Sequence, residues 1–453
     1  MDHSKQLGEE RIKNLLIKFS VPAIIGMLVN ASYNIIDRIF IGRGVGSLGI
    51  AGVTIGFPMM ILIMGFGMLI GLGTTSLISI RLGEQKKNEA ELIMANGTVM
   101  LIGSSLVLTV IGLLFLDPLL VFFGASGSML PYAREYMRII LWGAVFQGIG
   151  FGMNNFIRAE GNPKIAMFTM LISAVLNTIL DPIFIFVFDM GISGAASATV
   201  ISQAVSAIWV MYYFLYGSSS LRLRVRNLKL QAQIVKKILQ IGSAPFAMQV
   251  AASIMGILLN HNLVTYGGDV AVSAMGIVHS IAMMILMPIF GINQGAQPII
   301  GYNFGAGKYD RVKKTMMLGI IAATGVVLIG YTIIRLFPAE LIGLFNKDDL
   351  QLMAIGTEAL EIFFFFLPLV GFQVVSAGYF QAVGKPKQAM LLSLSRQVLL
   401  LIPALIILPK YYALRGVFMA IPFADLFAVI ITGIWIYIEL KYRLINKEPH
   451  LQT

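Results

Sequence analysis

Two aspartates lie inside long apolar stretches of this sequence. Asp37 belongs to the stretch 19–41, and Asp181 belongs to the stretch 165–188. Ionisable side chains are costly inside a membrane-spanning helix, so they generally face the protein interior or a water-filled path. Neighbouring carboxylates can share a proton, and a hard cation such as Na⁺ prefers oxygen ligands. The pair therefore predicts a site for Na⁺ or H⁺ and requires no other cofactor.

A polar stripe leads to the first aspartate. Asn30, Tyr33 and Asn34 precede Asp37 by seven, four and three residues, which places all four side chains on one helical face. Such a stripe on a membrane helix must face protein or water. The alternatives for Asp37 are an ion pair with the adjacent Arg38 or a position at the outer surface.

Oxygen-bearing side chains also surround the second aspartate. Asn177 lies one turn before Asp181, and Pro182 follows it and leaves a backbone carbonyl unpaired. At 1.5 Å per residue, Asp37, Asp181 and Thr199 lie about 6, 10 and 8 Å from the outer ends of their spans. The similar depths predict one coupling site. A kink at Asp181, and ordinary hydrogen bonds of Asn177 and Thr199, are the alternatives.

The second half of the chain carries a different pair of charges. Arg396 and Asp425 both come out near mid-membrane, within roughly 5 Å of depth. We expect them to form a structural ion pair, with a proton or substrate role as the alternative. Asn260 falls at the place of Asp37 and Ile402 falls near that of Asp181, so we expect the coupling site in the first half only.

Adaptable side chains suggest where a substrate cavity lies. Methionine thioethers repack around varied shapes, although packing in the core or against lipid is the alternative. The residues that we assign to the cavity are Asn30, Tyr33, Asn34, Met60, Met64, His279, Met287 and Gln294.

Composition places these residues in a membrane protein. The 453 residues are 57% hydrophobic and only 12% charged, and the mean hydropathy is +0.84. The continuous apolar runs exclude a barrel with alternating strands and predict an all-α bundle of twelve spans. We place the spans at 19–41, 50–80, 92–116, 136–157, 165–188, 194–216, 238–266, 273–301, 316–337, 357–380, 388–409 and 416–440.

Basic residues set the orientation. Most of the 33 Lys and Arg residues lie in alternate loops, as the positive-inside bias requires if both termini are cytoplasmic. This distribution explains the net charge of +11 without a nucleic-acid partner. The N-terminal segment carries Asp2, Glu9 and Glu10, leads into a long span and lacks a cleavage pattern, so we expect a retained first helix in a bacterial inner membrane.

An internal repeat divides the chain. Residues 158–167 (RAEGNPKIAM) reappear as residues 381–390 (QAVGKPKQAM), at an offset of 223 (381 − 158). Two copies of six helices predict a first lobe at 1–217, a basic cytoplasmic linker at 218–237 and a second lobe at 238–453. Parallel repeats of this kind recur in secondary transporters. The chain has no cysteine and no nucleotide-binding, serine or zinc motif, so we expect a transporter rather than an enzyme.

These features together resemble the multidrug and toxic compound extrusion family. The similarity covers the polar helix that ends at Gly42, the segment 177–182, the start of the sixth helix at 194–199 and the paired Gly-x-Pro-Lys loops. It implies a V-shaped pair of six-helix lobes that exports cationic or amphipathic compounds in exchange for Na⁺ or H⁺. In the branch similar to DinF and MepA, the matching cation site comprises Asp37, Asn177, Asp181 and Thr199.

A flippase for a lipid-linked precursor, from the same wider superfamily, is the alternative function. Its cavity should carry several cations for a pyrophosphate group, and here the inward candidates are Arg396 and Arg38. An intramembrane enzyme or a channel would be a third class, but no recognisable site supports it. We expect a monomer whose partners are small amphipathic or cationic compounds and the lipid bilayer.

Overall fold

The computed structural model describes residues 5–123, 125, 129–345 and 349–444, apart from the side chains at positions 30, 34, 35, 38, 47, 48, 51, 269 and 442–444. Within these ranges the chain is helical and contains no strand. The α-helices are α1 (Lys5–Glu9), α2 (Ile12–Gly44), α3 (Ser47–Gly83), α4 (Lys87–Leu114), α5 (Leu116–Phe122), α6 (Leu130–Ala159), α7 (Pro163–Pro182), α8 (Gly191–Leu215), α9 (Ala232–Gly305), α10 (Tyr309–Leu336), α11 (Pro338–Gly343), α12 (Leu350–Phe363), α13 (Leu367–Ala382), α14 (Pro386–Leu394) and α15 (Ile402–Ile438).

Several of these helices break or join at a span boundary. Helix α9 is interrupted at Gly268, and α15 is interrupted at Ala413. Helices α12 and α13 meet at a bend of 52° and together make one span. A π-helical turn, Ser395–Leu401, joins α14 to α15, so residues 386–412 form another span. With these divisions, twelve long segments lie in the described residues, which confirms the predicted all-α bundle.

The backbone repeats the duplication seen in the sequence. Residues with a left-handed backbone (positive φ) recur at an offset of 222 or 223 residues. The matched pairs are Gly46 with Gly268, Gln85 with Gly307, Gly161 with Gly384, and Gly191 with Ala413. Among the described residues, Asp189 is the positive-φ position that has no such counterpart. Both halves therefore turn at the same places, as expected for two copies of one six-helix unit.

The chain divides into two compact units. The first comprises residues 1–10 and 25–246, and the second comprises 11–24 and 247–453. The beginning of α2 thus packs in the second unit, where a Cβ added at Gly295 would lie 2.7 Å from the backbone nitrogen of Ser20. Each unit has its own apolar core. The predicted lobe boundaries at residues 217 and 238 come from the sequence repeat and not from this division into compact units, and they stay a prediction.

The predicted linker is fastened to the first unit. Asn96 in α4 donates to the carbonyl of Lys229 at 3.4 Å and accepts from the backbone N–H of Gln231 at 2.8 Å. Glu91, also in α4, accepts from the backbone N–H of Arg222 at 3.2 Å. Because these contacts hold both ends of the segment 222–231, it follows the first unit as far as the start of α9.

Candidate functional site

The site of greatest interest lies in the first unit, between α2, α7 and α8. Asp37 comes from the second half of α2, Asn177 and Asp181 from the last turns of α7, and Thr199 from α8. All four side chains are buried, and Asp181 has no exposed surface. Helix α2 and the consecutive helices α7 and α8 therefore bring the four predicted coupling residues to one place.

Asn177 connects the members of this cluster. Its Nδ2 donates to Asp181 Oδ1 at 3.1 Å, one turn along α7, and to Thr199 Oγ1 at 3.3 Å, across to α8. The carboxyl groups of Asp37 and Asp181 are close enough to form a hydrogen bond. A carboxyl–carboxyl hydrogen bond requires a proton, because two carboxylates have only acceptors.

Oxygens of Asn177 and Asp181 are available for a ligand. Asn177 Oδ1 and Asp181 Oδ2 are buried, and no amide or hydroxyl group of the described residues donates to them. Buried polar atoms are usually hydrogen-bonded, so each exception needs an explanation. Oxygens at this position suit a bound Na⁺ or a shared proton. No group of three or more His, Cys, Asp or Glu side chains that could hold a metal ion occurs in the described ranges.

The structure gives a partial view of the other first-unit candidates. Tyr33 is half-buried one turn before Asp37, and Met60 and Met64 are half-buried in α3. Met60 packs against the apolar core of this unit, which fits the packing alternative. The side chains of Asn30 and Asn34, and that of Arg38, lie outside the described residues.

The remaining cavity candidates lie on the second segment of α9, Val270–Gly305. His279 is exposed, Met287 is half-buried, and Gln294 is half-buried with a buried Oε1 that accepts no hydrogen bond in the described structure. None of the three lines the cavity of the second unit that contains Arg396 and Asp425. Their assignment to a substrate cavity stays a prediction.

The structure brings Arg396 and Asp425 together in the second unit. Arg396 Nε donates to Asp425 Oδ1 at 2.5 Å, and the aspartate is buried. The pair lines a cavity of about 150 Å³ whose wall includes Phe290, Phe363 and Phe364. Sequence reasoning found the two charges but missed the aromatic wall, because a phenylalanine on an apolar helix carries no positional signal.

A further buried carboxylate lies at the end of α6. Glu160 accepts hydrogen bonds from Tyr213, from Ser219 at 2.6 Å, and from the backbone nitrogens of Ser220 and Leu221 at 3.0 and 3.3 Å. Burial raises the pKa of Glu160 above its ordinary value of 4.5, and these donors oppose the rise. Glu160 therefore anchors the start of the linker, and sequence reasoning did not identify it.

A match to a known protein family shows the same duplication. The MatE family model matches residues 22–183 and again residues 245–406. The chain belongs to the MatE family. The two matches begin 223 residues apart (245 − 22), which is the offset of the internal repeat. The predicted fold class and the resemblance are thus confirmed, and the chain is a multi-pass membrane protein of a transporter family.

Known members of the family match almost the whole chain. The multidrug export protein MepA of Staphylococcus aureus strain MSSA476 is 30% identical over 431 residues, which cover 95% of this chain and 94% of that protein. The MATE multidrug transporter DinF-BH, solved as a complex, is 42% identical, with a TM-score of 0.89 over 97% of this chain and 98% of that one. A MATE structure in the bent conformation reaches a TM-score of 0.93 at 26% identity, with 99% and 100% coverage.

Proposed function

We propose that this MatE-family chain is a secondary active exporter that moves amphipathic or cationic compounds out of a bacterial cell in exchange for Na⁺ or H⁺. The similarity to MepA and DinF-BH supports export of several compounds. The observation that carries the coupling step is the buried cluster of Asp37, Asn177, Asp181 and Thr199. We place the protein in the cytoplasmic membrane with both termini in the cytoplasm, as the loop charges favour.

The chemistry of the cluster explains why it would bind an ion. Two ionised carboxylates in contact, with little water, repel each other strongly, so at least one proton or cation must accompany them. The buried oxygens of Asn177 and Asp181 provide ligands for that ion without breaking the hydrogen bonds of Asn177 Nδ2. Loading and release of the ion therefore change the net charge among three helices.

This change of charge can drive alternating access. A ligand shifts a conformational equilibrium only by its difference in affinity for the two states. The cluster joins α2 to α7 and α8, so a rearrangement of α2 would separate Asp37 from Asp181 and lower the affinity for the ion. An exporter of this design would release the compound outside when the ion binds, and would reset when the ion leaves on the cytoplasmic side.

The flippase alternative receives less support from the second unit. A pyrophosphate group carries several negative charges and needs several unpaired cations. Among the residues that line the cavity of the second unit, Arg396 is the one cation, and Asp425 already forms an ion pair with it. The exporter is therefore the function that the described side chains favour.

Efflux from everted vesicles tests the proposal. Ethidium transport is measured for the native chain and for the Asp37→Asn and Asp181→Asn variants, with Na⁺ and H⁺ gradients imposed separately. Asp117→Asn is the matched control, because Asp117 is a half-exposed acid of the same unit that pairs with Arg134. We expect one gradient to drive efflux in the native and control proteins and neither to do so in the two cluster variants.

Two results would contradict this proposal. Equal gradient-driven efflux in Asp181→Asn and the native chain would remove coupling from the cluster. A native chain that moves no organic cation under either gradient would instead contradict the exporter itself.

A further inference from the structure

The second unit contains a partly open cavity with one apolar side and one polar side. Its volume is about 150 Å³, and Phe290 from α9 with Phe363 and Phe364 from α12 and the bend after it form the aromatic part of the wall. The polar side is made by Arg396, Gln397 and Asp425. A cavity of this size can hold one aromatic ring, and because the cavity is partly open a second, fused ring can extend toward its mouth.

The polar side has hydrogen-bonding capacity to spare. Arg396 reaches Asp425 through Nε, and no described residue accepts from its two Nη groups, which together carry four N–H donors. Gln397, the next residue, is 8% exposed, and its Oε1 is buried without a donor. Arg396 itself keeps about a quarter of its side-chain surface accessible. These are donors and an acceptor that a bound molecule can satisfy.

The backbone favours a binding role for this position. Arg396 and Gln397 lie in the π-helical turn Ser395–Leu401, and such turns occur frequently at functional sites. The cavity also lies near the second-unit positions that correspond to two members of the ion cluster. Applying the repeat offsets of 223 and 222 to Asn177 and Thr199 gives positions 400 and 421 (177 + 223; 199 + 222). Arg396 and Asp425 each lie four residues from those positions.

Both displacements run in the same direction in space. The spans 386–412 and 413–438 are consecutive and antiparallel. A shift from position 400 back to 396 and a shift from position 421 forward to 425 therefore point toward the same side of the membrane. Four residues correspond to about 6 Å, or one turn. Each unit therefore carries a polar cluster between its fifth and sixth helices, one suited to a cation and the other to an acceptor group.

We propose that the cavity of Phe290, Phe363, Phe364, Arg396, Gln397 and Asp425 is a binding site for compounds that carry a flat aromatic ring with a carboxylate. The ring packs among the phenylalanines, and the carboxylate accepts hydrogen bonds from the Arg396 Nη groups, as planar guanidinium favours. Asp425 keeps Arg396 oriented through Nε and excludes a second anionic group. The inference rests on the proposed export function, because it names one class of exported compound.

Binding of 2-naphthoate to the purified, detergent-solubilised chain tests the site without any transport step. Isothermal titration compares it with 2-naphthylmethylamine, which presents the same ring with a cation. We expect the carboxylate to bind at least about tenfold more tightly, and Arg396→Gln to remove that preference, since hydrogen bonds to charged groups contribute about 1.5–3 kcal/mol. Arg415→Gln is the matched control, because Arg415 pairs with Glu358 on an exposed surface of the same unit.

A second variant guards against misfolding of Arg396→Gln. Ala377 lines the cavity, and Ala377→Leu narrows it without touching the ion pair. We expect loss of naphthoate binding in this variant at an unchanged unfolding temperature. Equal binding of both probes, or naphthoate binding that survives Ala377→Leu and Arg396→Gln, overturns the inference. Ethidium efflux from everted vesicles that contain the same variants separates this failure from failure of the exporter, since efflux without naphthoate binding contradicts the cavity alone.

Discussion

The substitution Glu160→Ala examines how firmly the end of α6 and the start of the linker are held in the first unit. Glu160 is fully buried, and it receives hydrogen bonds from Tyr213 and from the first residues of the linker. The alanine variant removes the acceptor and leaves these donors in place. Tyr213 and Leu221 are themselves buried, so water does not easily replace the carboxylate.

The expected loss follows from the number of donors left without a full partner. The Tyr213 hydroxyl loses its acceptor, whereas Ser219 keeps the carbonyl of Leu221 at 2.7 Å and the Leu221 N–H keeps Ser219 Oγ at 3.1 Å. A buried donor left unsatisfied costs about 1–3 kcal/mol. The backbone N–H and hydroxyl of Ser220 also lose this acceptor, but Ser220 is only half-buried, so water can replace it. The complete loss at Tyr213 and the partial losses at Ser219 and Leu221 give about 2–4 kcal/mol of unfolding free energy.

Thermal unfolding of the detergent-solubilised chain at one scan rate and at pH 7 measures this loss. Glu89→Ala is the control, because Glu89 is half-exposed at the start of α4 and forms a surface ion pair with Arg81. We expect the Glu160 variant to unfold several degrees lower and the control to change little. An unfolding temperature equal to that of the native chain would refute the view that Glu160 anchors the linker.

Three further substitutions test other parts of the structure. Gly242→Ala should destabilise the chain by more than about 1–3 kcal/mol, because the new Cβ would lie 1.6 Å from the Leu69 carbonyl oxygen. Gly276→Ala is the control and should be tolerated, because the space around Gly276 is open. Equal unfolding temperatures of the two variants would contradict the close approach at Gly242. Ala413→Gly should raise the unfolding temperature by relieving a positive φ of 48°, and no gain would argue against strain there. Folding raises the pKa of Glu160, so protonation of Glu160 stabilises the folded chain; this stabilisation is complete below pH 4.5 and is lost as the pH rises through the raised pKa of the folded state. The unfolding free energy of the native chain relative to Glu160→Gln should therefore fall as the pH rises over that range. An increase in this difference would contradict the raised pKa.

Much of the architecture could be predicted because bilayer thickness and hydrophobic length leave little choice. The repeated segments 158–167 and 381–390 indicated that the chain is duplicated, and the two family matches begin at the same offset of 223 residues. The breaks were harder to place. Gly268 interrupts α9 where the sequence suggested a loop of several residues, and Ala413 turns the chain with a side chain that rarely adopts positive φ. Tertiary packing sets these turns, so local composition does not reveal them.

The ion cluster was accessible from sequence for a different reason. Charged and amide side chains are rare inside spans, so Asp37, Asn177 and Asp181 could be grouped by depth alone. Depth does not give contacts, however, and the role of Asn177 as a donor to both Asp181 and Thr199 required coordinates. The aromatic wall around Arg396 was not predictable, because apolar residues that line a cavity and those that face lipid have the same composition.

The ion flux that accompanies drug movement tests the central claim most directly. Purified chain in liposomes is given ethidium on one side, and Na⁺ movement and internal pH are recorded together. Ion coupling at the cluster predicts that either Na⁺ or H⁺ moves opposite to ethidium in the native chain and in Asp117→Asn. This ion flux should be absent in Asp181→Asn. Ethidium transport with no accompanying Na⁺ or H⁺ flux, or an unchanged flux in Asp181→Asn, would contradict ion coupling at the Asp37–Asp181 cluster.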